Sequence, residues 1–420
     1  MSSNQPLNQT EPVTPSPLAR GTGGEVEPKI HFDDTEVAFS YKSDRELRKA
    51  NFIFSLVNHP FISSIATSLA KAGLALRLPI KGMIRSTVFE HFCGGETIDQ
   101  SDRTIQTLFK FQVGTILDFS AEGEHNEAGF DKAKEEILKT LEKAKNNPAI
   151  PFCVFKSTGL VNAVVLEKVQ AKQSLSKEET EAFEHFQQRV DAICSKAHAY
   201  GVPMLIDAED SWIQNPIDEL VYAMMEKYNQ QKAIVFNTFQ MYRTDMFDNL
   251  RNAFHNAAMH NYYLGVKMVR GAYMEKEAER AEKLNYPNPI HPSKQATDDC
   301  FNKGLAFCVD NKQRVSLLCG SHNEYSNQYL AVLMERHSMK NNDPRIWFAQ
   351  LMGMSDNISF NLAKAGYNVA KYVPYGPVEL VMPYLIRRAD ENTSVAGQSS
   401  RELTLIRKEL HRRKLSRRLR

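Results

Sequence analysis

Cysteine is sparse in this chain, and long apolar runs are missing altogether. The six cysteines (Cys93, Cys153, Cys194, Cys300, Cys308 and Cys319) form no CxxC pair, and most sit in apolar runs where a small hydrophobe serves. Free thiols in a reducing compartment are therefore expected, with no metal site. No stretch reaches the roughly twenty apolar residues that span a bilayer, so no membrane crossing is expected. Charge of one sign is also lacking: a formal net charge of +2 gives no global field for nucleic acid. The first thirty or so residues have no basic segment leading into an apolar core, which argues against a secretory signal. Finally, no GxGxxG turn follows a strand-like run, which removes the main support for an open dinucleotide-binding sheet.

What is present falls into four segments. Residues 1–30 are rich in Ser, Thr, Pro, Gly, Asn and Gln and are expected to be a disordered leader. Residues 31–112 form an expected helical arm, with apolar residues recurring at helical spacing over 43–58, 62–74 and 80–92. From Gly114 the rhythm changes. Short apolar, β-branched runs start at Gly114, Pro151, Pro203, Ala233, Tyr263, Val315, Arg345 and Asn368, and long amphipathic stretches separate them. Eight strand–helix units over residues 113–395 define an α/β fold, a (β/α)8 TIM-type barrel with an N-terminal helical arm. Gly201 and Pro377 fall where helices end and begin. Residues 396–420 read as an amphipathic helix running into a basic tail.

In such a barrel the chemistry gathers at the C-terminal strand ends. Those ends carry Asp118, Lys156, Asp207 with Glu209, Asn237 with Gln240, Arg270 with Tyr273, Ser321 with His322, Leu351 and Tyr372. A cap or a salt-bridge partner would account for any one of them alone; their recurrence at one end of greasy strands points to a site. The helix after the last strand reads PYLIRRADEN, where Tyr384, Arg388 and Glu391 share one face and Arg387 lies at its edge. An Arg387–Glu391 surface pair worth a few tenths of a kcal/mol is one reading. A carboxylate clamp of two guanidinium forks is the other. The loops at 122–126 and 285–294 have the composition of lids.

Several blocks in one order, VFKS around Lys156, LIDAED from Leu205, NTFQMY from Asn237, KMVRGAYMEKE from Lys267, GSHN from Gly320, LMGM from Leu351, YVPYG from Tyr372 and YLIRRADEN from Tyr384, make the sequence similar to the proline dehydrogenase family, including the proline-oxidising domain of proline utilisation proteins. The resemblance covers roughly residues 32–392. It implies an FAD enzyme that oxidises L-proline to Δ1-pyrroline-5-carboxylate, the first step of proline catabolism, and passes electrons to a membrane quinone. It also implies that Arg387 and Arg388 pair with the substrate carboxylate and that Glu391 orients them. Lys156 would be a further cation on that carboxylate, and Asp207 would act near the substrate nitrogen. Leu351, Tyr372 and Tyr384 would wall the ring, with Ala272 and Tyr273 beside it. Flavin contacts are implied at Asn237, Gln240, Lys267, Val269, Arg270, Gly271, Ser321 and His322. Some bacterial relatives carry Gln at the position of Asn237 and Arg at that of Lys267; a Lys lacks the planar fork. Keeping Tyr372 points to proline over hydroxyproline.

Two rival readings stand beside this one. Lys156 could form an imine, as in barrel aldolases, with Asp207 and Glu209 as acid and base. The other rival is a non-catalytic barrel with a membrane- or partner-binding basic tail, its polar strand ends being mere caps. In any of these readings the tail from Arg401 either covers the barrel as a solvated helix or holds the protein to anionic lipid as a peripheral contact. A cytoplasmic location, extending to the inner face of a membrane, is expected.

Overall fold

The computed structural model describes residues 30–57, 82, 85–120, 126–394 and 398–418; at 56, 57, 86, 387–394 and 398–400 it describes the backbone only. The expected leader up to residue 29, the expected helix at 62–74 and the loop at 121–125 lie outside the described residues.

Eight parallel strands close into a barrel in sequence order: β1 (Val113–Phe119), β2 (Phe152–Lys156), β3 (Met204–Asp207), β4 (Val235–Gln240), β5 (Leu264–Val269), β6 (Val315–Gly320), β7 (Ile346–Leu351) and β8 (Val369–Tyr375). Closure is complete, because β8 pairs with β1 over the whole of both, from Val113 opposite Val369 to Phe119 opposite Tyr375. Each strand begins within two residues of its expected start. Their apolar continuity has a direct cause: both faces are covered, one by the barrel interior and one by helices. Ile116, Phe152, Val154, Leu205, Phe236, Leu318, Ala349 and Ala370 fill the interior. Leu117, Cys153, Met204, Val266, Leu317 and Phe348, one step out of phase, pack under the helices.

Before the barrel stand α1 (Thr35–Ala38), α2 (Asp44–Val57) and α3 (Asp102–Phe109). The crossovers are α4 (Glu127–Ala144), α5 (Ala163–Gln170), α6 (Lys177–Tyr200), α7 (Ser211–Tyr228), α8 (Met246–Met259), α9 (Met274–Leu284), α10 (Lys294–Asp310), α11 (Glu324–Arg336) and α12 (Asp356–Lys364). After β8 come α13 (Val378–Ser394) and α14 (Gln398–Arg418). Local chemistry sets the ends. A capping box of Ser176 and Glu179 starts α6, and Gly201, left-handed at φ 66°, ends it.

The arm and the tail meet. Leu403, Leu405 and Ile406 of α14 are buried against Phe39, Leu47, Ala50 and Phe54 of the arm. Arg413 pairs with Asp44 and with the fully buried Glu409, and Arg412 also reaches Glu409. The apolar face of this amphipathic helix is thus spent inside the molecule, so any contact with anionic lipid is left to its cationic side. The expected helix over 80–92 is described only in part, as a π-type turn over Arg85–Phe89 leading into Glu90–Phe92. The loop at 285–294 is no free lid: Thr244 N donates to Pro289 O at 2.9 Å, His291 N to Tyr242 O at 2.8 Å, and Ile290 is buried. Among the described residues no helix is long and apolar enough to cross a membrane.

Candidate active site

The pleat decides which strand-end residues meet. In phase with the apolar interior positions and two to four residues further along the strands, the same inward face presents Asp118 on β1, Lys156 on β2, Asp207 on β3, Gln240 on β4, Lys267 and Val269 on β5, Leu351 on β7 and Tyr372 on β8. The interior turns from apolar to charged within one layer.

Asp207 is the centre of this layer. Its Oδ1 accepts from Lys267 Nζ at 2.5 Å and from the Tyr372 hydroxyl at 3.5 Å, while the Lys267 ammonium lies 4.4 Å from the centroid of the Tyr372 ring. Lys267 and Asp207 are both largely buried, so each charge relies on the other. Burial, with the Asp207 and Asp118 carboxylates nearby, holds the Tyr372 hydroxyl well above its ordinary pKa, and it remains a proton donor. On the other side Lys156 Nζ stands 3.8 Å from Asp118 Oδ2, which also accepts from Ser120 at 2.8 Å. Lys156 is the more exposed partner, a cation at the mouth.

Other expected site residues have different placements. Gln240 donates to the Glu209 carbonyl at 2.7 Å, and Glu209, buried with its pKa raised by burial, accepts from Thr158 N at 2.9 Å and Oγ1 at 2.7 Å. Glu209 therefore stitches the loops after β2 and β3 together. Asn237 is a correction. It lies on the outward face of β4 with Phe239, and its side-chain amide donates to Asp218 of α7 at 2.8 Å, so it does not reach the mouth. Burial pushes the Asp218 carboxyl up to about 6. Arg270 braces the β5–β6 edge: Nε donates to Asp298 at 2.7 Å, the two terminal nitrogens to Ser321 at 2.8 Å and Ser326 at 2.9 Å, and the guanidinium stacks on Phe301. Gly271 has φ 137°, and a Cβ there would stand 2.4 Å from the Tyr242 ring. Only glycine fits this approach. Ala272 is exposed and Tyr273 half-buried just beyond it. His322 Nδ1 lies 2.9 Å from Ser355 Oγ.

Tyr384 is buried among Phe89, Phe92, Met354 and Val381, where α13 packs on the arm. Arg387, Arg388 and Glu391 are on α13, and their side chains lie outside the described residues. Sequence reasoning missed Lys371, which is buried on β8 and pairs with Asp356 at 2.9 Å. A lysine inside an otherwise apolar strand was the available signal. Among the described residues no three His, Cys, Asp or Glu side chains are grouped to hold a metal ion.

A closed eightfold parallel barrel whose interior ends in paired cations and carboxylates at the C-terminal strand ends defines a (β/α)8-barrel enzyme. Within that class the chain belongs to the proline dehydrogenase family, whose model, described as proline dehydrogenase, matches residues 101–401. The chain is 34% identical to proline dehydrogenase 1, mitochondrial, of Dictyostelium discoideum, over 90% of this chain and 74% of that protein. It is 31% identical to proline dehydrogenase 2, mitochondrial, of Arabidopsis thaliana, over 79% of each. It is also 32% identical to the carbapenem antibiotics biosynthesis protein CarD of Pectobacterium carotovorum subsp. carotovorum, over 79% of this chain and 86% of that protein. Among solved structures, proline utilization A from Bdellovibrio bacteriovorus inactivated by N-propargylglycine superposes with a TM-score of 0.66 at 18% identity, over 87% of this chain. That likeness bears on the fold, and this chain spans only 36% of the larger protein.

Proposed function

We propose that the chain oxidises L-proline to Δ1-pyrroline-5-carboxylate with FAD as cofactor, and that the electrons leave to a membrane quinone. The observation that carries this reading is the inward layer in which Lys267, Asp207 and Tyr372 make one contact set beside the Lys156–Asp118 pair. A mouth that sets cations beside carboxylates suits a zwitterionic ring substrate.

The donor set fits a flavin. Gln240 and Lys267 bring N–H groups to the inward face of β4 and β5, the Arg270–Ser321 brace and His322 continue the row to β6, and Gly271 lets the backbone after β5 pass close to the Tyr242 ring. Bound FAD would supply a two-electron acceptor for a hydride from the ring carbon beside nitrogen. The chain's own groups do the rest. Lys156 with Arg387 and Arg388 would take the substrate carboxylate, and Glu391 would hold the arginines in place. Asp207, acceptor to Lys267 and Tyr372, would face the substrate nitrogen. Leu351, Tyr372, Tyr384, Ala272 and Tyr273 would shape the pocket and exclude water. Family membership gives the imine-forming reading of Lys156 no support.

Kinetics on the flavin-loaded protein test the carboxylate roles. Arg388→Ala should lower kcat/KM for proline about a hundredfold or more, and Lys156→Met about tenfold, as for lost charged hydrogen bonds to a desolvated anion. An Arg388→Ala enzyme with wild-type kcat/KM retires the clamp.

A further inference from the structure

The segment that follows β7 is held from every side. Lys371, whose side chain leaves the barrel on the face opposite Tyr372, is 1% exposed, donates to the carbonyls of Leu351 at 3.3 Å and Met354 at 2.5 Å, and pairs with Asp356 at 2.9 Å. Three acceptors saturate an ammonium. His91 Nε2 contacts Gly353 O at 3.0 Å, and Met352 N donates to Tyr372 O at 2.8 Å. From the arm, Tyr41 and Lys42 both reach Asp356 Oδ2 at 2.7 Å. From the C-terminal helix α14, Glu402, 3% exposed, accepts the backbone N–H of Ser355, and Ser355 Oγ lies 2.9 Å from His322 Nδ1.

Ser355 and Gly353 both adopt positive φ, 51° and 79°, so this turn is not one the chain takes by default. A serine in the left-handed region persists where its surroundings fix it, and the Glu402 carboxylate fixes its N–H. The turn has two ends that matter. Leu351 at its start is on the inward layer of the mouth, and Ser355 at its finish contacts His322 on the loop after β6.

We propose that Glu402 is a positioning residue of the active site, acting through Ser355 on His322 and on the turn that aims Leu351 into the mouth. The last helix is then part of the functional unit, although none of its described side chains is on the inward layer. This inference rests on the reading of Leu351 and His322 as mouth residues given above.

Three variants and two measurements test it in the full-length, flavin-loaded protein. Glu402→Gln keeps an oxygen for Ser355 N, Glu402→Ala removes it, and Leu403→Ala loosens the same helix from the arm without touching the turn. Glu402→Ala should raise KM for proline about tenfold and speed hydrogen exchange of the Ser355 amide about tenfold or more, the scale of one lost charged hydrogen bond. Glu402→Gln should restore both to within about threefold of wild type. Leu403→Ala should lower the melting temperature while leaving KM and the exchange within that same margin. The proposal fails if Leu403→Ala reproduces the KM and exchange changes, or if Glu402→Ala leaves them at wild-type values. Should Glu402→Ala not fold, Ser355→Ala takes its place: it cuts the link to His322, should raise KM in the same way, and overturns the proposal if KM is unchanged. Should proline prove not to be the substrate, the exchange comparison still decides the positioning.

Discussion

At the scale of single residues, the site turns on a buried ion pair. Asp207→Ala leaves the Lys267 ammonium without its carboxylate in a largely buried layer, and should cost about 3–5 kcal/mol of stability in chemical denaturation. Asp207→Ala combined with Lys267→Met should recover most of that loss, because no uncompensated charge remains. Equal losses in the single and double variants would mean that solvent reaches the pair. Tyr372 is the second test: its ring lies under Lys267 and its hydroxyl points to Asp207. Tyr372→Ser should lower kcat/KM for proline by about ten- to a hundredfold and shift the ratio toward hydroxyproline. An unchanged ratio in competition assays contradicts the pocket-wall role. Much of this layer was readable beforehand, since polar residues ending greasy strands mark a barrel mouth. Asn237 shows where that reading stops. Strand parity places side chains alternately in and out, so a residue one step from the inward Thr238 belongs to the opposite face, and nothing in the NTFQ run states which phase is inward.

At the scale of elements, the eight strands were legible because each is a short apolar run covered on both faces, and covered strands need no alternation to be recognised. The turn after β5 depends on glycine for a sterically concrete reason, one that only the fold discloses. Gly271→Ala drives a methyl into the Tyr242 ring at an unfavourable φ and should cost about 3 kcal/mol or more, read as a lowered denaturation midpoint. The destination of the last helix was not legible. Its amphipathic pattern fits a lipid surface and a protein surface equally, and only the fold shows Leu405 and Ile406, each 1% exposed, against the arm. Leu405→Ala should therefore destabilise by about 2–5 kcal/mol. A loss under about 0.5 kcal/mol, typical of exposed positions, would return the helix to solvent or membrane.

At the scale of the whole molecule, the arm, the barrel and the last helix meet at one set of charges: Lys42, Asp356, Lys371 and Glu402. Their positions span most of the chain, which is why no local pattern disclosed them. Burial, with the Asp356 carboxylate beside it, pushes Glu402 up to about 7, while Lys371 and Lys42 pull the other way. A carboxyl that holds its proton more tightly folded than unfolded contributes stability in full below the ordinary Glu range and loses it as pH rises through about 7. His91 works in the opposite direction, because burial pushes it down to about 3 and stability is lost as pH falls below the ordinary His range. The comparison of wild type with Glu402→Gln isolates the first effect: between mildly acidic and mildly alkaline pH, wild type should lose more stability than the variant. Parallel pH profiles would contradict the upward push that burial gives Glu402.

Proline oxidation by bound flavin is tested by anaerobic mixing of the flavin-loaded protein with L-proline and with L-proline deuterated at the ring carbon beside nitrogen that loses hydride. The flavin's blue absorbance should bleach with both, and more slowly with the deuterated substrate. A spectrum unchanged by proline, or bleaching at equal rates in an enzyme whose chemical step limits reduction, contradicts that oxidation.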